Sequence, residues 1–554
     1  MKLDLGAILH TNYRPNTALE AHQIRALLAE KSTRLLRLQN AIAELKTAVA
    51  KLDEEERLLK EDCEAYERLL APIRRIPPEL LQLIFIQCLP ERNCVMSRNA
   101  APLVLGRVCS DWRRISLATS ELWARLHVVE PEDPSYVPER RRENPRLDLR
   151  AQAARTWLNR SGIQPLSLSL DGVANGLASW KGSRADILLD VLIDFSARWR
   201  CVSLNLPRRV AGRLLALAPE DVPMLEMLNL THPQDPVGSF DWNTVRILPQ
   251  LRGFSTASSR AFNFDNIPLT WSNLTHISLA SHPFAISTEL NSQTAIALLR
   301  RCPALLVAEL AIKQVPPEDE EPAIAVCPNV HTFKLYVTSA SASGLARFLT
   351  RVSFPSLRTL SLHGIRRFDQ SRRDAADDFA RVFASYRDLT SLSLGTNILS
   401  KAALAQILRT MPRTMERLHL IASHSTLVVD SKTQTSSPLD DDTLNVLGGN
   451  CAALRDLHIE ACLALSDAAI VGFTAQAPAL RRLGIDFNST RDPDEGCAAD
   501  VQARIAKVAP RVEARLAYGT RTWSVSRGLE PRDMLGRMTS LSVNAASQWS
   551  DFSL

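Results

Sequence analysis

Between Thr17 and Ala71 the chain contains neither proline nor glycine, and its apolar residues recur at alternating steps of three and four. One column reads Leu28, Leu35, Ile42, Val49, Cys63, Leu70, the other Ile24, Leu38, Leu45, Leu52, Leu59, Tyr66, Ile73; Lys31 and Glu56 interrupt them. Pro15 stands before the stretch and Pro72 ends it. Thr17 with Glu20 has the spacing of a capping box, in which each side chain satisfies the other's free backbone donor. The pattern predicts one helix over 17–72 behind a flexible N-terminus, 1–16. A seven-residue repeat held this long keeps a narrow apolar seam on one side, which is what a coiled coil requires. Docking along the protein's own body serves the same seam, and in either case it needs a partner.

The texture then changes. Ile76-Pro-Pro-Glu-Leu-Leu-Gln-Leu-Ile-Phe-Ile-Gln-Cys-Leu89 opens with proline at a helix start, where the missing donor costs nothing, and Leu80, Leu81, Ile84, Phe85 and Cys88 follow at helical spacing. A polar loop, Pro90 to Ala101, leads to Pro102-Leu-Val-Leu-Gly-Arg-Val-Cys-Ser-Asp-Trp-Arg-Arg-Ile115, and Ser120-Glu-Leu-Trp-Ala-Arg-Leu126 closes the segment. Leu81, Ile84, Phe85, Val108, Trp112 and Trp123 supply the core of a small helical bundle over 74–128. So short a segment cannot hide all that apolar surface within itself, and the remainder has to meet something.

The order and spacing of these pieces resemble the F-box: a Leu/Ile-Pro-x-Glu-Leu-Leu-x-x-Ile-Phe opening, a Val-Cys-x-x-Trp-Arg centre and a Leu-Trp-x-x-Leu close. The likeness covers Ile76 to about His127 and departs at Ile76, at Ser120 and in a long internal loop. It implies docking to the Skp-type adaptor of cullin-based ubiquitin ligases. By that resemblance Ile76, Pro77, Leu80, Leu81, Ile84, Phe85, Val108 and Trp112 form the adaptor surface.

Residues 129–150, rich in proline and charge, read as a linker in which Arg140-Arg-Arg142 is a solvated loop. At Pro165 the alternation Leu166-Ser-Leu-Ser-Leu170 predicts a half-buried strand. One phrase then recurs, Leu-x-x-Leu-x-Leu: Leu225/Leu228/Leu230, Leu274/Ile277/Leu279, Val330/Phe333/Leu335, Leu357/Leu360/Leu362 and Leu389/Leu392/Leu394. It continues as Met415/Leu418/Leu420, Leu454/Leu457/Ile459 and Leu480/Leu483/Ile485. Leu305/Ala308/Leu310 is a degraded copy and Trp199/Val202/Leu204 an earlier one. Most spacings lie near the ~20–29 residues of a leucine-rich repeat, with insertions elsewhere. Ala295–Arg301, Ser343–Leu349, Ala375–Ser385 and Lys401–Thr410 read as intervening helices, Lys313–Pro322 and Ser423–Asp440 as long loops. A unit of this size cannot bury its leucines alone, so stacking closes a continuous core.

The fold class expected is therefore an α/β solenoid, an irregular leucine-rich-repeat horseshoe over 151–518, preceded by an all-α F-box and a long coiled-coil helix, with a tail at 519–554. This half resembles the leucine-rich-repeat class of F-box proteins. Residues between the leucines point outward from such a sheet. Lys334, Tyr336, Ser361, His363, His419, His458 and Glu460 stand at such positions, and Lys334, Tyr336, His363, His419, His458 and Glu460 are the candidate substrate-binding set.

Composition refines this picture. A length of 554 residues gives a prior of about three or four units, and the pieces above fill it. Hydrophobic residues at 45% exclude wholesale disorder. A net charge of +6 is too thin for a protein built to coat nucleic acid. Arg366-Arg367 and Arg372-Arg373 leave a nucleic-acid role as a third reading, marked by steep salt dependence. The ten cysteines never form a C-x-x-C pair, so neither a disulfide scaffold nor a zinc knuckle is expected. No stretch approaches the ~18 apolar residues of a membrane span, and the N-terminus lacks the pattern of a signal peptide. Cytoplasm or nucleus is the expected compartment.

Phosphate-binding, dinucleotide-binding, nucleophile-elbow and zinc-protease motifs are all missing from the sequence. His419 and His458 fall in one column of adjacent repeats with Asp456 and Glu460 nearby, but without a clear quartet no metal is assigned. Asp440-Asp-Asp442 reads as the cap of the helix that follows. Asn273-Leu-Thr275, a glycosylation sequon by spelling, sits in a strand phrase, and Cys451 and Cys462 have no activating base. The expected function is a non-catalytic substrate receptor of a cullin-type ubiquitin ligase. Its partners are a Skp-type adaptor, through it a cullin, an unidentified protein substrate and a second coiled-coil helix. No cofactor and no membrane are expected. The alternative is a non-degradative scaffold using the coiled coil and the repeats.

Overall fold

A computed structural model describes residues 14–15, 17–131, 145–172, 184–231, 245–257, 267–279, 290–312, 324–337, 342–364, 376–396, 399–421, 438–450, 452–462, 465–487 and 498–518. Lys313–Pro322, most of Ser423–Asp440, Arg140–Arg142, both arginine pairs, Cys451 and the tail lie outside the described residues. The chain divides into two compact units, Met1–Leu81 and Gln82–Leu554.

The first unit is dominated by α1 (Ala18–Leu70). Thr17, in extended backbone, caps it by accepting a hydrogen bond from the Glu20 amide at 3.2 Å. Arg57 bridges Glu54 and Glu61 one turn to either side, and Lys60 pairs with Glu56. Most of the predicted seam lies in water: Ile24 is half-buried, but Leu28, Leu38, Leu45, Leu52 and Leu59 are all exposed. α2 (Pro78–Gln87) starts on proline and runs across the division between the units.

In the second unit α3 (Ser110–Ala118) packs against the turn Leu105–Arg107. The chain then enters the sheet through Leu122, Trp123 and Leu126, all buried. Trp123 meets Trp157 edge to face at 4.9 Å, donates from Nε1 to the Ser116 carbonyl at 2.9 Å, and lies under the Arg160 guanidinium.

The strands are β1 (Arg125–Val129), β2 (Leu166–Asp171), β3 (Trp199–Asn205), β4 (Met227–Thr231), β5 (Gly253–Ala257) and β6 (His276–Leu279). There follow β7 (Val307–Ile312), β8 (Ala325–Val326), β9 (Thr332–Val337), β10 (Val352–Ser353) and β11 (Thr359–Gly364). The last are β12 (Ser391–Gly395), β13 (Arg417–Ile421), β14 (Asp456–Cys462), β15 (Arg482–Phe487) and β16 (Glu513–Tyr518). Among the described residues, fourteen of them form one sheet in chain order, while β8 and β10 pair separately. Every pairing is parallel, from β1·β2 through β15·β16. Helices return the chain between strands: α4 (Pro145–Arg160), α5 (Ala185–Ile193), α6 (Arg208–Ala211), α7 (Ser292–Arg301) and α8 (Ala342–Thr350). Further on come α9 (Ala376–Ser385), α10 (Lys401–Thr410), α11 (Asp441–Asn450), α12 (Asp467–Gln476) and α13 (Ala498–Val508). This is an α/β solenoid-like fold.

Register explains the repeated phrase. Its second and third apolar positions align across strands, as Leu360 beside Leu392 and Leu362 beside Leu394, and both columns are buried. Each helix adds a stripe at steps of three and four, such as Phe379, Val382 and Phe383 or Leu404, Ile407 and Leu408. Burying a side chain of this size contributes about 1.5–3 kcal/mol, so stability accrues repeat by repeat.

Three strands of the large sheet were not legible in the phrase. β5 divides the wide interval between Leu225 and Leu274, with Leu251, Phe254 and Thr256 in place of the leucines. Thr256 recovers its polar cost by donating to the Leu230 carbonyl at 2.9 Å. β16 carries Ala514 and Leu516 in the two columns. β1 lies before the expected start of the solenoid: Trp123, Leu126 and Val128 spell a degenerate first phrase. The expected linker also shortens from both ends, since Val129 is in β1 and α4 opens at Pro145. Asn273 lies in a turn ahead of β6 rather than in the strand.

The polar loop expected at 90–101 has a structural task. Val95 forms a parallel bridge with His127, the His127 amide donates to Cys94 O at 2.8 Å, and Asn93 bonds the Ser167 and Ser169 hydroxyls. The free edge of β1 is thereby covered, which an exposed sheet edge requires.

Candidate functional site

Because leucine-type residues face the helices, the residues between them face the other side of the sheet. From β1 to β7 one column there reads His127, Ser169, Ser203, Asn229, Ser255, Ser278 and Glu309, all buried. These small polar groups satisfy one another: His127 Nδ1 and Ser169 Oγ lie 2.8 Å apart, Asn229 donates to Ser203 Oγ at 2.7 Å, and Ser278 to Glu309 at 3.1 Å. In the adjoining column Asn205 donates to Asp171 at 2.9 Å.

From β9 onward the same columns carry larger, half-buried side chains at Lys334, Tyr336, His363, His419, His458 and Glu460, between small residues such as Ser361, Ser393 and Gly484. Lys334 is the register neighbour of Glu309 and Ser361, and Tyr336 that of His363. The rings of Tyr336 and His363 stack at 5.5 Å. Ser393 Oγ stands 3.4 Å from both His363 Nε2 and His419 Nδ1, so one hydroxyl spans two strands. His419 and His458 are register partners with ring centroids 4.8 Å apart. Glu460 Oε1 lies 3.3 Å from His419 Nε2 and 3.4 Å from His458 Nε2. Tyr336, His363, His419, His458 and Glu460 thus converge on one stretch of the face, with Lys334 in the same column.

One of the sequence readings changes here. Asp456 does not join the histidines: its carboxylate accepts from Arg482 Nε at 2.7 Å and from Arg482 Nη2 at 2.8 Å. Asp486 takes its place, with Oδ2 3.9 Å from His458 Nε2. The missed signal is Leu457-His-Ile-Glu460 followed by Leu483-Gly-Ile-Asp486, a carboxylate at one repeat position twice running. Gly484, the register partner of His458, has no side chain where a Cβ would collide with His458 Nδ1.

The helical segment places its expected adaptor residues unevenly. Ile76, Pro77, Leu80 and Leu81 belong to the first unit; Ile76 is half-buried, Pro77 and Leu80 are exposed, and Leu81 is buried. In the second unit Ile84 and Val108 are exposed, at 42% and 59%, and Leu83 and Val104 join them. Phe85 is wholly buried, tilted against the half-buried Trp112 at 4.7 Å, and so fills the module's core as its place in the helical spacing predicts. Leu81, at 5% exposure, is likewise withdrawn from solvent.

No family model matches the chain, and no curated protein does. Among solved structures it is similar to a chain of the crystal structure of the Rad7 and Elc1 complex in yeast, at 16% identity and a TM-score of 0.33, covering 67% of this chain and 87% of that one.

Proposed function

We propose that the protein is a non-catalytic substrate receptor of a cullin-type ubiquitin ligase, acting in the cytoplasm or nucleus. Residues 74–128 would serve as an F-box that docks a Skp-type adaptor, and through it a cullin. The sheet face around Tyr336, His363 and His419 would hold the protein to be modified. Catalysis here is proximity: the receptor raises the local concentration of a substrate lysine beside an enzyme carried elsewhere in the assembly. α1 would pair with a second copy as a coiled coil and add avidity.

The observation that carries this reading is the split within the helical segment. Phe85, Leu122 and Trp123 are buried, while Leu83, Ile84, Val104 and Val108 of the same helical segment stay in water. Apolar side chains spent on solvent mark a surface awaiting a partner. The test is affinity purification of the full chain beside an Ile84→Asp/Val108→Asp variant, read by mass spectrometry and protein abundance. Adaptor and cullin are expected with wild type only, and proteins that accumulate in the variant are the candidate substrates. A wild-type complex free of adaptor overturns the proposal and favours the scaffold reading.

A further inference from the structure

We propose that His419, His458 and Glu460 bind a single divalent transition-metal ion, zinc foremost, with Asp486 beside the fourth position. Among the described residues these three are the group of His, Cys, Asp and Glu whose ligand atoms converge, all within 4.8 Å of one another. Both imidazoles present Nε2 to the same carboxylate oxygen, at 3.3 and 3.4 Å. Bonds of about 2.0–2.1 Å in a tetrahedron set neighbouring ligand atoms about 3.3–3.4 Å apart. The two His–Glu460 separations match such an edge, and with all three ligand atoms within 4.8 Å a small closing movement of the side chains would complete the set.

Hydrogen bonding accounts for the arrangement less well. His419 Nε2 is buried and makes no hydrogen bond, although Glu460 Oε1 is only 3.3 Å away. Two ring nitrogens gathered on one carboxylate oxygen, one of them buried without a hydrogen bond, are what a shared cation would organise through the nitrogen lone pairs. The other ring nitrogen of His419 faces Ser393 Oγ at 3.4 Å, the outer contact that orients a ligating histidine. A bulge adds a third observation. The register of β14 against β15 shifts between Ile459 and Cys462, the segment that carries Glu460, and bulges re-aim side chains at functional sites. Gly484 leaves the space that the His458 ring occupies. Imidazole and carboxylate donors suit zinc, and ligands from β13 and β14 with Asp486 on β15 would tie three consecutive repeats together on the face proposed to hold substrate. The site stands independently of the ubiquitin-ligase reading.

The experiment uses the full chain, stripped with a chelator and titrated with zinc, then with cobalt(II) as a spectroscopic stand-in. One equivalent of zinc is expected to bind outside the thiols. Cobalt should give the intense visible bands of a tetrahedral site without thiolate charge transfer. His419→Ala/His458→Ala, checked for folding by circular dichroism, should lose affinity by at least about a hundredfold, and Glu460→Gln by at least about tenfold. Should the double variant not fold, Gly484→Ala displaces the His458 ring and is expected to weaken binding in its place. No stoichiometric binding by wild type, a thiolate spectrum, or undiminished binding in folded variants overturns the assignment.

Discussion

Trp123 joins the helical segment to the repeats. Its ring lies against Trp157, its Nε1 satisfies the Ser116 carbonyl, and only 2% of it reaches solvent. Trp123→Ala should cost about 3–5 kcal/mol by chemical denaturation, since it opens a cavity and leaves a buried carbonyl unpaired. Thiol reactivity supplies a second check. Burial pushes the Cys94 and Cys302 thiols up to about 12 and Cys327 up to about 11. A thiol reagent at neutral pH should therefore label the exposed Cys63, Cys88 and Cys109 and spare those three until the protein unfolds. Labelling of Cys94 in the native state would contradict its buried placement. The tryptophan was legible from its place in a phrase. Asp486 was not, because its importance comes from lying next to His458 across a strand boundary, a neighbour set by register.

At the scale of the element, α11 shows how a cap becomes a pH dependence. Asp440 accepts from the Thr443 amide at 3.1 Å and pairs with Lys401 across the helix layer. Burial opposes its ionisation, but the Lys401 and Thr443 contacts outweigh it and hold the carboxyl below its usual range. A carboxyl depressed in the folded state stabilises fully above its unfolded pKa, and that contribution disappears as pH falls through the folded value. Asp440→Ala should cost about 0.5–2 kcal/mol at neutral pH. Asp440→Asn should keep the cap and flatten the acid response of hydrogen exchange in α11; an unchanged acid response would sink this account. α1 is the contrasting element, a helix with a capped start and a seam left in water. Leu38→Asp, Leu45→Asp and Leu52→Asp together should turn an oligomer into a monomer by light scattering while leaving the solenoid's melting temperature unmoved. A wild-type monomer would contradict the coiled-coil pairing.

Across the whole molecule, the sequence was most informative where the leucine phrase was intact and least where a substitute filled the same column. Thr256 in β5 and Ala514 in β16 occupy leucine positions, so periodicity passed over strands that stacking still forms. β1 was hidden for a different reason: its residues belong to two patterns at once, the Leu-Trp-x-x-Leu close and the first strand of the sheet. For the same reason the helical segment and the repeats share a buried junction at Leu122, Trp123 and Leu126. The polar face was legible as a face, but its division into a buried, self-satisfied half and a half with accessible histidines depends on which side chains meet across strands. The proposed docking of the helical segment to an adaptor is tested most directly by calorimetric titration of the purified full chain with a purified Skp-type adaptor. It predicts one-to-one binding by wild type, weakened at least about a hundredfold in Ile84→Asp/Val108→Asp at unchanged melting temperature. No binding by wild type, or full binding by the folded variant, would contradict it.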